Sequence, residues 1–156
     1  MRVLAIATVL PTHERPEQAR FVVEHIRLMR DLADVDVVEL SVGYGPRVRT
    51  WSTERDVPGL GPVTVVHAVA PPVIAHRLAG HAVARIAGAR RCALLHSHSL
   101  ETGYVTSVAA RVSGRPWLHT EHSSEWTDQR SSGPEAAYVA MSKRAVTRAD
   151  SWTAVS

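Results

Sequence analysis

The sequence predicts an α/β chain, a doubly wound and mostly parallel sheet of about six strands with helices on both faces. Three observations predict it. Six short segments are β-branched and almost continuously apolar, the pattern of strands covered on both faces. Between most of them lie amphipathic stretches with helical spacing. Strands alternating with helices imply right-handed crossovers and therefore parallel pairing.

The elements follow in order. VLAIATV (3 to 9) reads as the first strand and Glu17 to Ala33 as a helix. In that helix Ala19, Val22, Ile26, Met29 and Ala33 recur at spacings of three and four, while Arg20, Glu24, Arg27 and Asp31 line the other side, close enough for ion pairing. VDVVELSV (35 to 42) is the second strand and VTVVHAV (63 to 69) the third. The 20 residues GYGPRVRTWSTERDVPGLGP (43 to 62) between them carry no helical pattern and read as a long loop, a feature that in compact domains is functional or mobile. Helices are then predicted over 77 to 89, 103 to 113 and 135 to 149, with strands at ALLHS (93 to 97), PWLHT (116 to 120) and SWTAV (151 to 155).

Composition narrows the class. At 156 residues the chain suits one domain with a sizeable core. Apolar residues make up 45%, in blocks far shorter than the roughly 18 uncharged residues a membrane span requires. VLAIATVL is too short, and too quickly followed by Pro11 and charge, to read as a signal peptide. The single Cys92 forms no internal disulfide, so a reducing cytoplasm is expected. The net charge of +3 comes almost wholly from scattered arginines, Lys143 being the only lysine. Nucleic-acid binding needs concentrated charge with interleaved aromatics and is not expected. A phosphate-bearing small molecule remains compatible, since one or two arginines suffice.

Three motif matches carry little. Gly43-Tyr44-Gly45 follows a strand as a dinucleotide fingerprint would, but Val48 stands at the third glycine position and Pro46 where the phosphate-binding helix should begin. Asp34-Val35-Asp36 spells D-x-D, yet opens a strand, where Asp34 ends the preceding turn. No G-x-S-x-G elbow occurs.

The histidines carry more. His96 and His98 share one face of a strand, about 6 to 7 Å apart. His119 and His122 end the next strand, with Glu121 between them. Four imidazoles and a carboxylate brought together would suit zinc, which makes a metal-dependent hydrolase an alternative reading. Such hydrolases tend to need further His and Asp ligands, and beyond His122 the chain has no histidine and only the aspartates Asp128 and Asp150. The plainer alternative is that some of these imidazoles only hydrogen-bond backbone at strand ends. Topology is independent of motifs: in a doubly wound sheet the cleft opens where strand order reverses, at the carboxyl ends of strands one and four. Those ends are PTHERPEQ and HSHSLETG, with TEHSSEW on the adjoining strand, so three polar clusters are expected at one crevice.

LLHSHSLETGYVTSVAARVSGRPWLHTEHSSEW followed by MSKRAVTRADSWTAVS resembles the amino-terminal domain of the retaining glycosyltransferases of family 4, which have the two-domain GT-B fold. The shared features are an H-x-H turn (96 to 98), a G-x-P step (114 to 116), a strand ending in T-x-H (120 to 122) and an A-D…A-V-S strand (149 to 156). The opening VLAIATVLPTHERPEQARFV resembles the family's first strand and helix.

The resemblance implies a hexosyltransferase-type enzyme moving a sugar from a nucleotide-sugar donor to an unidentified acceptor, without metal or other cofactor. It implies His122 as the catalytic residue facing the transferred sugar. It places His98, Ser99, Glu121 and Ser123 beside the acceptor, and Thr12, Glu14, Arg15 and Gln18 in the loop on the donor side. Family members carry a glycine pair in that loop, where this chain has Glu14-Arg15-Pro16-Glu17. The second domain, which includes two glutamates with seven residues between them, has no counterpart in residues 1–156. A chain ending at Ser156, before the helix expected beside its last strand, reads as one truncated Rossmann-like domain that needs a carboxyl-terminal domain or partner subunit. A non-catalytic partner-binding domain is the third reading, and peripheral membrane association stays open.

Overall fold

The alternation of side chains along the first strand, β1 (Arg2–Ala7), decides how the sheet is covered. Leu4 and Ile6 point to one face, and Val3, Ala5 and Ala7 to the other; all are buried, so both faces need helices. The protein is described here as a computed structural model covering residues 1–122 and 134–154. Its further elements are α1 (Arg20–Arg30), β2 (Asp34–Tyr44), β3 (Arg49–Val57), β4 (Gly61–Ala70), α2 (Pro72–Ala89), β5 (Leu94–His98), α3 (Gly103–Ser113), β6 (Trp117–Glu121), α4 (Pro134–Val146) and β7 (Ser151–Ala154). A 3₁₀ turn, Leu100–Thr102, joins β5 to α3.

The seven strands form one sheet in the order β3-β4-β2-β1-β5-β6-β7. Every neighbouring pair is parallel except β3 with β4. One face packs Leu4, Ile6, Val38, Val66 and Leu95 against Ala79 and Val83 of α2, Val105 and Ala109 of α3, and Val146 of α4. The other packs Val3, Ala5, Val35, Val37 and Val63 against Val22, Val23 and Ile26 of α1. Parallel strands with both faces buried explain the near-continuous apolar runs. Among the described residues no helix is long and apolar enough to cross a membrane.

Two local features fix the helices. A Cβ on Gly80 would lie 2.7 Å from Val108, so glycine there lets α2 and α3 approach closely. Gly114 ends α3 at φ 66, the left-handed conformation that favours glycine at helix C-termini. The D-x-D aspartates have structural partners: Arg2 donates to Asp34 at 2.7 Å and Arg90 to Asp36 at 3.2 Å.

The strand count and the reading of 43 to 62 both need correction. That segment is not a loop: it holds the end of β2, all of β3 and the turn into β4, giving a seventh strand. β3 is an edge strand whose side chains are mostly exposed on both faces, so it shows no apolar periodicity. Its signal was instead Pro58-Gly59 between two β-branched runs, the pattern of a hairpin. Helix α1 secures that hairpin, with Arg27 donating to the Gly59 carbonyl at 3.0 Å and Arg30 to the Leu60 carbonyl at 2.9 Å.

Candidate functional site

Because β1, β5 and β6 are parallel neighbours, the loops leaving their carboxyl ends emerge side by side. Hydrogen bonds join them. The Thr8 hydroxyl donates to the Glu101 carboxylate at 2.6 Å, linking the exits of β1 and β5. The Ser99 amide donates to the Thr120 carbonyl at 3.0 Å, linking β5 to β6. Ser99 holds φ 70 and ψ 150, a region almost reserved for glycine. Thr102 pins the turn by donating its hydroxyl to the His98 and Ser99 carbonyls at 3.0 and 2.9 Å. Ser99→Gly should therefore raise stability by about 1 kcal/mol, since it relieves strain while loosening the unfolded chain. Urea denaturation checks this, and a lower midpoint would mean that the side chain holds the turn.

The face of β5 that carries His96 and His98 is covered by His25 and Met29, four apart on α1. His96 commits both ring nitrogens: Nδ1–H donates to the Met29 sulfur at 2.9 Å, and Nε2 accepts from the Thr120 hydroxyl at 2.8 Å. His98 is 0% exposed. Its Nδ1 lies 3.2 Å from Nε2 of the half-buried His122, whose ring packs on Phe21 at 4.7 Å. His25 stands edge-on to both, and one ring nitrogen each from His25, His98 and His122 lie within 4.8 Å of one another.

Burial pushes all four of these imidazoles toward the neutral form. His96 falls to about 3, through loss of hydration and then repulsion from its neighbours. His98 lies well below its ordinary value for the same reasons. His25 is lowered by burial. In His122 burial and His25 outweigh the opposing pull of Glu121. At neutral pH the group offers uncharged nitrogen lone pairs.

A separate polar chain occupies the opposite face. The Trp117 indole N–H donates to the Ser97 hydroxyl at 2.7 Å, which donates to His119 Nδ1 at 2.7 Å. His119 Nε2–H then faces the Glu121 carboxylate at 3.4 Å. Glu121, 4% exposed, also accepts the His122 amide at 3.0 Å. It thus fixes the backbone that presents His122, from beneath the crevice rather than inside it.

The loop after β1 is built differently again. Thr12, Glu14 and Arg15 are exposed and Gln18 is half-buried. The Thr12 hydroxyl accepts the Arg15 amide at 3.1 Å, closing a tight turn, and Ala19, in the left-handed region, opens α1 at Arg20. Its root is held by Arg55 of β3, which donates to Glu39 at 2.6 and 2.9 Å and to the Pro11 and Leu10 carbonyls at 3.0 and 3.3 Å. Glu39 in turn accepts the Leu10 amide at 3.2 Å.

His98, His122 and Ser99 are thus brought together, with Glu121 behind them and Thr12 to Gln18 on the adjoining loop. Ser123 lies outside the described residues. The four-imidazole set of the hydrolase alternative does not assemble: His119 faces the other side of the sheet, and both nitrogens of His96 are engaged. Sequence reasoning missed His25, Glu101 and the Arg55–Glu39 pair. For His25 a signal existed, its place midway between Phe21 and Met29 beside the buried stripe of α1. No protein-family model matches the chain, and no curated protein matches it. Fold and site together define an α/β domain with a polar, histidine-rich mouth at the carboxyl ends of its central strands.

Proposed function

We propose that residues 1–156 form the acceptor-side half of a retaining glycosyltransferase of the GT-B type, a Rossmann-like unit doubly wound about β1. The observation that carries this reading is the contact between His98 and His122 at the shared mouth of β1, β5 and β6. Ligands of open α/β sheets bind outside the carboxyl ends of strands where their order reverses. Here β2 lies on one side of β1 and β5 on the other.

In this reading His122 presents the accessible part of its ring to the reacting sugar, held by His98 behind it, Phe21 beside it and Glu121 through its amide. Ser99 lines the acceptor wall. Thr12, Glu14, Arg15 and Gln18 face the donor side. The nucleotide sugar is held by a second Rossmann-like unit, in the same protein or in a partner. Closure of the two halves aligns both substrates and excludes water. Stabilising charge on the departing diphosphate is supplied mainly from that second half.

The isolated chain is therefore expected to release no nucleoside diphosphate from UDP-, GDP- or ADP-hexoses, whereas the protein joined to its nucleotide-sugar half releases it. Turnover by residues 1–156 alone overturns the half-enzyme reading. A joined protein that forms a stable complex on gel filtration yet transfers no sugar supports a partner-binding domain instead.

A further inference from the structure

We propose that His25, His98 and His122 form a binding site for one zinc ion, with three imidazole ligands and a fourth position open to solvent or substrate oxygen. The proposal goes beyond sugar transfer and does not depend on it.

Ring spacing is the first observation. The three ring centres stand 5.1, 5.4 and 5.6 Å apart, close to an equilateral triangle. In a tetrahedral zinc site with Zn–N of about 2.0–2.1 Å, ring centres stand about 5.2 Å apart and ligand nitrogens about 3.3 Å apart. His98 Nδ1 and His122 Nε2 already lie 3.2 Å apart. His25 is half-buried at the helix surface, and one of its ring nitrogens lies within 4.8 Å of those of the other two.

Hydrogen-bond accounting is the second. His98 is fully buried, and its Nδ1 faces His122 Nε2 at 3.2 Å, so one shared proton is all that two neutral rings can place between them. Metal coordination replaces that proton and gives each of the two facing nitrogens a partner. His98 Nε2, which no described residue bonds, then carries the remaining N–H.

Among the described residues the neighbours leave three ligands and indicate the ion. His96 lies 4.3 Å from His98 ring to ring, but both its nitrogens are bonded, so it packs against a ligand without being one. Glu121 bonds His119 on the other side of the sheet. A donor set of three neutral nitrogens without carboxylate suits zinc or a similar borderline ion and disfavours magnesium, calcium and manganese. Three histidines with an open position are the donor set of a reactive zinc, whereas structural zinc is closed by a fourth side chain.

Calorimetric titration of the chelator-stripped chain with zinc chloride tests the site. One ion per chain is expected, with a matching rise in Tm. The cobalt-loaded protein should show the visible absorption of four-coordinate cobalt. His25→Gln, at the surface of α1, should keep the fold and weaken binding more than about 100-fold, exceeding the usual effect of losing a group outside the coordination shell. His122→Gln should do the same, and His67→Gln should leave affinity unchanged. The proposal is overturned if zinc binds weaker than millimolar, or if affinity survives both His25→Gln and His122→Gln. Because every readout is metal binding, the result is independent of whether sugar is transferred.

Discussion

Glu39→Ala should cost roughly 2–4 kcal/mol, a large share of the 5–15 kcal/mol that holds a domain together. Glu39 is 13% exposed and Arg55 28%, so the pair is desolvated enough to matter and too exposed for the full penalty of a buried charge. Removing the carboxylate strands the Arg55 guanidinium beside the Leu10 and Pro11 carbonyls and leaves the Leu10 amide without its acceptor. Replacing both partners by apolar residues of similar shape should recover part of the loss, because no charge then remains unpaired. Urea denaturation of Glu39→Ala and of Glu39→Leu with Arg55→Met separates these outcomes. Equal loss in both would mean that packing, not charge, holds the root of the loop.

Trp117→Ala should be larger still, about 3–5 kcal/mol, from the cavity left by a ring that is 2% exposed in the main core. It also removes the donor that begins the chain through Ser97 and His119 to Glu121. Trp117→Phe isolates that second effect. It keeps most of the packing, loses one hydrogen bond, and should cost about 1 kcal/mol plus a small cavity. Thermal unfolding of both variants checks the order; a phenylalanine variant as damaged as the alanine one would place most of the ring's contribution in its N–H group.

What could be read from residue order follows from which groups carry pattern. β1, β5 and β6 lie inside the sheet with both faces covered, so their apolar runs were unambiguous and their polar exits stood out against them. The exits of β5 and β6 carry His98 and His122, 3.2 Å apart at one mouth. β3 left no such mark, since an edge strand forms through backbone pairing on one side and its exposed residues need not alternate. Missing β3 concealed Arg55, and with it the clamp on the first loop. His25 escaped for another reason. Periodicity ranks positions by hydrophobicity, and an imidazole between Phe21 and Met29 counts as polar although it faces inward. Which nitrogen each histidine uses, and hence why His96 differs from His98, depends on Met29 and Thr120 from other elements, a pairing that spacing alone does not encode.

The crevice assignment also sorts the polar residues by what they do. Glu121 carries charge close to His122 yet lies beneath it, bonded to its amide, so its replacement should disturb position more than chemistry. His98 is enclosed by His25, His96 and His122, so in sugar transfer it positions His122 rather than meeting the sugar itself. His122 alone of the described imidazoles ending β5 and β6 reaches the surface of the mouth.

The most direct test of the proposed function is the rate of sugar transfer by this domain joined to a nucleotide-sugar-binding half, measured for the native sequence, His122→Ala and His67→Ala. Misplacing or removing a group at the reacting centre costs on the order of 100-fold. His122→Ala should lose at least that much with its unfolding midpoint little changed, while His67→Ala, on β4, keeps the native rate. Native transfer by His122→Ala would contradict the assignment of this crevice as the place where sugar is moved.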